Sequence, residues 1–511
     1  MDSGQSLFDL NNITYCGEGN NSIVVVNNSL GWIIRIRKSE EGGSHCSKKM
    51  SNLTELSTDP RIPQYVGSRF TRQMLLINAN PAFLLKLEKK IAPMRPGYRL
   101  YKGIDLSEQY VIVAPDAAKT PVNLAPYVYG PTISVEIKPK FGAFLLWPAT
   151  DATNVVRSHA SLFCLRQNYV GKLSRWRTQS EYCPCDLFSG HRGRMLRSLK
   201  ALLRTPQINL RIHLDSQLVF SYEVDRLDKA LSTFFSWDPH HEGNQENGHF
   251  DDECNGNGCN PECMFSDDDD DHRRLVEGLL LDALLRELDS ANDSPARYSL
   301  QFGDRSTFSM NCCMHRDRPP EPNRRTRRTT KSPPTGPVSS SAPYLIDEPL
   351  PPKGSILGRV LATQLLSRMD ICYITPHYER VCQYLADHRI TWECYTRMSD
   401  NERSYLLSDS PEMTESFTVV ENYLISLVAR DCSIMLTFQR AKPNCPSWVP
   451  TVGGNTCGCL PRMVMNPVII DLDPKQLDRI RDRLHIEHNI ARQTLQRHAD
   501  FFDLITPASS E

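Results

Sequence analysis

The stretch Thr132-Ile133-Ser134-Val135-Glu136-Ile137-Lys138-Pro139-Lys140 carries the reading of this chain. Ile133, Val135 and Ile137 alternate with Ser134, Glu136 and Lys138, the period of two that marks a half-buried β-strand. On that period Glu136, Lys138 and Lys140 share one face, neighbours about 6–7 Å apart. Two ammonium groups at this spacing suit a ligand bearing several phosphates, and Glu136 could orient a lysine or a metal-bound water. The same pattern also fits a plain charged outer face of a strand. Pro139 has no N–H, so the strand either lies at an edge or runs out of the sheet there.

Upstream, Ile13–Tyr15, Ile23–Val26 and Trp32–Ile36 read as short β-branched strands separated by turn residues. Between the first two lies Gly17-Glu18-Gly19-Asn20, a hairpin whose glycines let backbone N–H groups approach phosphates. Arg35 and Arg37 follow on the next strand, within reach of the same anion. Downstream, Asp431 reads as a carboxylate at the edge of the apolar strand Val428–Leu436. A second strand, Val468–Leu472, ends in Asp471-Leu472-Asp473-Pro474-Lys475. Phosphoryl transfer needs carboxylates for Mg²⁺, cations on the moving phosphate and a group beside the nucleophile. Each aspartate alone fits a turn or helix cap equally well.

The whole chain excludes several classes. Its 511 residues exceed one compact core, and 40% hydrophobic with 23% charged residues are ordinary globular values. A net charge of −1 rules out a general polycation, so anion binding must rest on a local basic patch. No apolar run reaches membrane-spanning length and no secretory leader is visible, so the 17 cysteines read as reduced thiols. The expectation is a protein of cytoplasm or nucleus, monomeric, without membrane or nucleic-acid partners. Composition turns polar from residue 238 to 353, apart from a leucine-rich helix near 274–288, and reads as a largely disordered insertion. Within it His249, Cys254, Cys259 and Cys263 are candidate Zn²⁺ ligands, though Cys-x4-Cys-x3-Cys is not a standard spacing. The run Arg324–Lys331 reads as a solvated linker or an import signal.

Taken in order, GEGN (17–20), SVEIKPK (134–140), RDCSIM (430–435) and DLDPK (471–475) closely resemble the inositol-pentakisphosphate 2-kinase family. Tyr182–Gly190 and Thr205–Leu210 add matching strings. The resemblance implies an α+β, two-lobed, distantly protein-kinase-like fold with the insertion described. Its parts are a nucleotide lobe (1–145), a catalytic and inositide-binding lobe (146–237 and 354–511) and the 238–353 insertion. It implies transfer of the ATP γ-phosphate to the 2-hydroxyl of inositol 1,3,4,5,6-pentakisphosphate, with ATP and that inositide as the partners and Mg²⁺ as the cofactor.

Carried over by residue, Gly17, Glu18, Gly19, Asn20 and Arg35 bind ATP. Asp431 and Lys138 are catalytic, and Asp471 and Asp473 hold Mg²⁺. Lys138, Lys140, Arg166, Asn209, Lys475 and Arg479 bind the inositide. Leu162, Arg166, Val170 and Ile208 depart from the family pattern, and Arg483 stands where a tyrosine is typical. These departures leave two alternatives open: a shifted positional preference, or a non-catalytic kinase-like scaffold.

Overall fold

A computed structural model describes residues 7–39, 61–145, 160–170, 178–237, 269–288, 350–408, 410–454 and 461–497. The early β-branched runs form β1 (Ile13–Glu18), β2 (Ser22–Asn27) and β3 (Trp32–Arg37). With β4 (Leu75–Asn78) and β5 (Tyr110–Pro115) they make an antiparallel sheet in the order β1-β2-β3-β5-β4. Ile23, Val25, Ile34 and Ile36 from one face meet Leu84, Leu87 and Ile91 of the helix Pro81–Ile91. That helix starts where the Asn80 side chain accepts the Ala82 N–H and Pro81 fills the first turn. Its apolar residues recur at helical spacing, so one stripe covers the sheet.

A second antiparallel sheet is built from β6 (Val128–Ile137), β7 (Leu210–Leu214), β8 (Gln217–Phe220), β9 (Ser433–Ala441), β10 (Thr451–Val452) and β11 (Met463–Ile470). Its order is β10-β11-β9-β6-β7-β8. The class is therefore α+β, with two antiparallel sheets. β6 lies inside this sheet, so Pro139 marks a strand that runs out of the sheet, not an edge. β11 begins five residues earlier than its apolar run suggests, because Pro467 and Asn466 are accommodated within the β9 ladder.

Helices Arg192–Arg204, Ile356–Gln364 and Pro411–Asp431 contribute to the core under this sheet. So does the helix Asp269–Leu285, where Val276, Leu279, Leu280, Leu281, Ala283 and Leu284 are all buried. The sequence placed this helix in a disordered insertion; it is instead part of the main core. Its leucines were visible, but their docking site, made by distant segments, was not. Arg273 anchors it through both nitrogens to Asp228, at 2.6 and 3.0 Å. Leu288 N–H donates to Gly354 O at 3.0 Å, so the chain leaves and rejoins the core at adjacent points. The zinc candidates His249, Cys254, Cys259 and Cys263, and the basic run 324–331, lie outside the described residues.

Helices Ile371–Asp387, Trp392–Arg397 and Pro411–Asp431 and the start of Arg479–Arg497 form a further core around Phe417, Tyr423 and Ile480. None of the described helices is long and apolar enough to cross a membrane.

Leu284→Ala should lower stability by about 2–5 kcal/mol in urea denaturation, the cost of a cavity at a fully buried leucine. An unchanged midpoint would show that the helix is not part of the core.

Candidate active site

Three strand ends meet at one margin of the second sheet. Ile137, the last residue of β6, pairs with Ile434 of β9, and Ser433 of β9 pairs with Ile470, the last residue of β11. Lys138, Ser433 and Asp471 therefore emerge side by side. Lys138 Nζ lies 2.5 Å from Asp471 Oδ2, 2.8 Å from Ser433 Oγ and 3.5 Å from Glu136 Oε1. The Ser433 hydroxyl stands 2.9 Å from both the Glu136 and Asp471 carboxylates and gives its proton to one of them at a time. Sequence reading passed over Ser433, because a serine opening an apolar strand carries no signal of its own.

Burial alone would neutralise this cluster, yet opposite charges dominate. Desolvation acts to lower the Lys138 pKa, but Asp471 and Glu136 raise it above the usual lysine range. Desolvation acts to raise Asp471, and Lys138 with Ser433 and Arg35 holds it below the usual carboxylate range. Asp471 has φ of 61°, a left-handed backbone that aspartate tolerates better than most residues.

Asp431 does not lie at a strand edge, as its apolar surroundings suggested; it is the last residue of the helix Pro411–Asp431. A carboxylate there faces the negative end of the helix dipole, which is unfavourable. Two cations offset it: Lys475 Nζ at 3.0 Å and Arg483 Nη2 at 3.3 Å. Desolvation pushes its pKa up, but Lys475, Arg483 and Lys140 together bring it well below the ordinary aspartate value. Arg483 entered the sequence reading only as a departure, and the fold makes it a partner of Asp431.

Lys140 also differs from expectation. Its φ of 61° ends the strand alternation, so it does not simply continue the face of Glu136 and Lys138. Burial lowers its pKa, opposed by Asp431 and reinforced by Lys138 and Arg166, so Lys140 stands amid these charges.

At the other sheet, Gly19 N–H donates to Ser22 O at 2.9 Å, closing the β1–β2 turn. Neither Gly17 nor Gly19 has a positive φ, and no heavy atom lies within 4 Å of the place a Cβ would take. Their contribution is open backbone, not relief of strain. The buried Glu18 carboxylate pairs with Lys38 and accepts two bonds of 2.9 Å from Arg95. Asn20 accepts from Arg99 Nη1 at 2.7 Å. Arg35 forms a two-pronged pair with Asp473, both contacts 2.5 Å, tying the first sheet to the loop after β11.

A cavity of about 830 Å³ opens beside these groups. Its lining holds Arg37, Lys38, Lys102, Arg166, Lys475, Arg479 and Arg483, seven cations against the carboxylates of Asp431, Asp473, Asp482 and Glu487. Lys475 lies against Asp431, and Arg479 lines the same cavity while pairing with Asp482. Arg166 reaches the same wall from the helix Leu162–Val170. Asn209 does not: it is 2% exposed, with its amide donating to Lys138 O at 2.9 Å.

The family described as Inositol-pentakisphosphate 2-kinase matches residues 15–489. The chain belongs to that family. Membership makes it a transferase. The inositol-pentakisphosphate 2-kinase of Danio rerio is 25% identical over 519 residues, covering 96% of this chain and 94% of the relative. That of Arabidopsis thaliana is 29% identical over 155 residues, 30% of this chain and 34% of its own. A Drosophila melanogaster relative of the same name is 36% identical over 135 residues, 21% of each chain.

Asp431 titrates below its unfolded value near 4, so its ion pairs stabilise the fold fully above about pH 4. That contribution disappears as pH falls through the lower folded value. With 39% of the side chain exposed, solvent screens the pairs and their effect is modest. Carboxyl ¹³C shifts should place Asp431 below the ordinary range, and Lys475→Met should move its midpoint upward. The variant should also lose less stability than wild type between pH 7 and pH 3.

Proposed function

We propose that the protein transfers the γ-phosphate of ATP to the 2-hydroxyl of inositol 1,3,4,5,6-pentakisphosphate, giving inositol hexakisphosphate and ADP. One observation carries this reading: the Asp431 carboxylate opens on a cavity lined by seven arginines and lysines against four carboxylates. A polyphosphate is the ligand class that such a lining recognises, and an alcohol acceptor needs a carboxylate at its hydroxyl. The 2-position is supported by the protein's relatives, which are named inositol-pentakisphosphate 2-kinases.

In this reading the first sheet and the second form nucleotide and inositide lobes, distantly protein-kinase-like, around the cleft. The open backbone of Gly17 and Gly19 admits the nucleotide phosphates, and Arg35 and Lys138 contact them. Lys140, Arg166, Lys475 and Arg479 hold phosphates of the inositide. The hydroxyl oxygen forms a bond to the γ-phosphorus while the bond to the β-phosphate bridging oxygen breaks, and the hydroxyl proton passes to Asp431. Its low basicity fits a late proton transfer, since the transition state is loose and orientation of the acceptor matters most. Inositide phosphates on Lys475 and Arg483 offset those charges and raise the basicity of Asp431 when substrate is present.

Asp471 and Asp473 are the residues that would hold Mg²⁺. Their donors are all oxygen, which suits a hard cation, and an ion there would take the place of Lys138 on Asp471 and of Arg35 on Asp473. Bound with nucleotide, the ion offsets charge developing on the transferred group. A shifted positional preference is the second reading, favoured by Leu162, Arg166 and Arg483 on the cavity wall.

Purified protein with ATP, Mg²⁺ and inositol pentakisphosphate should yield the hexakisphosphate, resolved by ion-exchange chromatography. Asp431→Asn should reduce kcat by about 10²–10⁴-fold with little change in KM. Lys475→Met should mainly raise the inositide KM. Turnover of a different isomer alone would sink the 2-position reading, and full activity of Asp431→Asn would sink the mechanism.

A further inference from the structure

Two sequence strings, Tyr182–Gly190 and Thr205–Leu210, have no role in the chemistry above, yet a residue from each meets the segment Lys138-Pro139-Lys140. Once β6 has left the sheet, three consecutive carbonyls lack ladder partners. Each is captured by a different buried side chain. Asn209 Nδ2 donates to Lys138 O at 2.9 Å, Tyr182 Oη to Pro139 O at 2.6 Å and Gln364 Nε2 to Lys140 O at 2.8 Å.

We propose that Asn209, Tyr182 and Gln364 are positioning residues that fix the Lys138–Lys140 backbone relative to Asp431. The inference rests on the kinase reading for its consequence but on geometry for its substance. Gln364 is the link between the two halves of the site. Its Nε2 also donates to Ala429 O at 3.0 Å, two residues before Asp431, while its Oε1 accepts Gly142 N–H at 2.9 Å. These bonds fix the orientation of the amide, because only its oxygen can face the Gly142 donor. The helix ending at Asp431 and the turn presenting Lys140 are therefore held by one side chain.

A second tie runs in parallel. Arg430 stacks on the ring of Phe141, 3.9 Å from its centroid, and donates to Ser367 O at 2.5 Å. The arrangement also explains the positive φ of Lys140. Such a backbone persists in a long side chain only where its surroundings over-determine it, and here both flanking peptide units are pinned. Tyr182 is fully buried against Phe163, with burial raising its pKa well above the ordinary value, so it stays a donor.

The test uses Tyr182→Phe, which removes one hydroxyl, and Gln364→Met, which keeps shape but loses three hydrogen bonds. Leu231→Ala, at a fully buried position of the helix Leu227–Phe235 that makes none of these hydrogen bonds, provides a comparison loss of stability. Each is compared with wild type by steady-state kinetics and by pH-dependent acetylation of Lys140 read by mass spectrometry. Lys140 faces Asp431, Lys138, Arg166 and Cys432, so its midpoint reports its placement among them.

Both clamp variants should lower kcat at least about ten-fold, with KM values within about three-fold. They should also move the Lys140 midpoint up towards that of an ordinary lysine. Leu231→Ala should do neither at a temperature where it remains folded. An unchanged Lys140 midpoint in Tyr182→Phe overturns the proposal, as does a kcat loss no larger than that of Leu231→Ala. If wild type fails to phosphorylate pentakisphosphate, the kinase reading fails separately, and the labelling curves still decide the clamp.

Discussion

The alignment of three strand ends is the constraint on which the site depends. β6, β9 and β11 are adjacent and antiparallel, with Ile137 opposite Ile434 and Ser433 opposite Ile470. That register alone brings Lys138 to Ser433 and Asp471, which are 295 and 333 residues away in the chain. A slip of one residue would turn Glu136 and Lys138 into the core and lift Val135 and Ile137 out of it. The apolar core beneath the sheet therefore enforces the geometry of the charged cluster above it.

Charge at this margin is balanced in close pairs. Lys138 meets Asp471, Arg35 meets Asp473, and Lys475 with Arg483 meets Asp431. For Lys138, Asp471 and Asp431 the opposite charges outweigh desolvation and favour the ionised forms. Asp431 gains most from this, since its place at a helix C-terminus is unfavourable without cations nearby. Phosphates arriving at the cavity exchange one partner for another and need not charge a neutral site. The Arg35–Asp473 pair has a further consequence, because it joins the first sheet directly to the loop after β11.

Much of this was legible locally. Short β-branched runs gave β1, β2 and β3, and period-two alternation gave β6. Charged strings marked Lys138, Asp431, Asp471 and Lys475, which the fold brings to one margin or its cavity. What failed was residue-level direction. Glu18 ends β1 beside a turn that looked ligand-facing, and Arg95 and Lys38 pair with its buried carboxylate. Asn209 looked like a ligand contact, and its amide is spent on Lys138 O. The helix Asp269–Leu285 lay amid polar composition, so its leucines could not be assigned to a core built from segments far away.

The sequence by itself determined which chemistry was available: glycines without side chains, lysines after an alternating strand, and aspartates after apolar runs, in one order along the chain. Those are local properties, set by residue type and spacing. Only the tertiary structure decided which charges oppose each other, that Asp431 ends a helix, and that Lys140 turns out of the strand into a backbone held at three carbonyls. The physical reason is that ion pairs and buried hydrogen bonds form between segments from 43 to 438 residues apart. Their partners are chosen by sheet register and core packing, which no local pattern encodes.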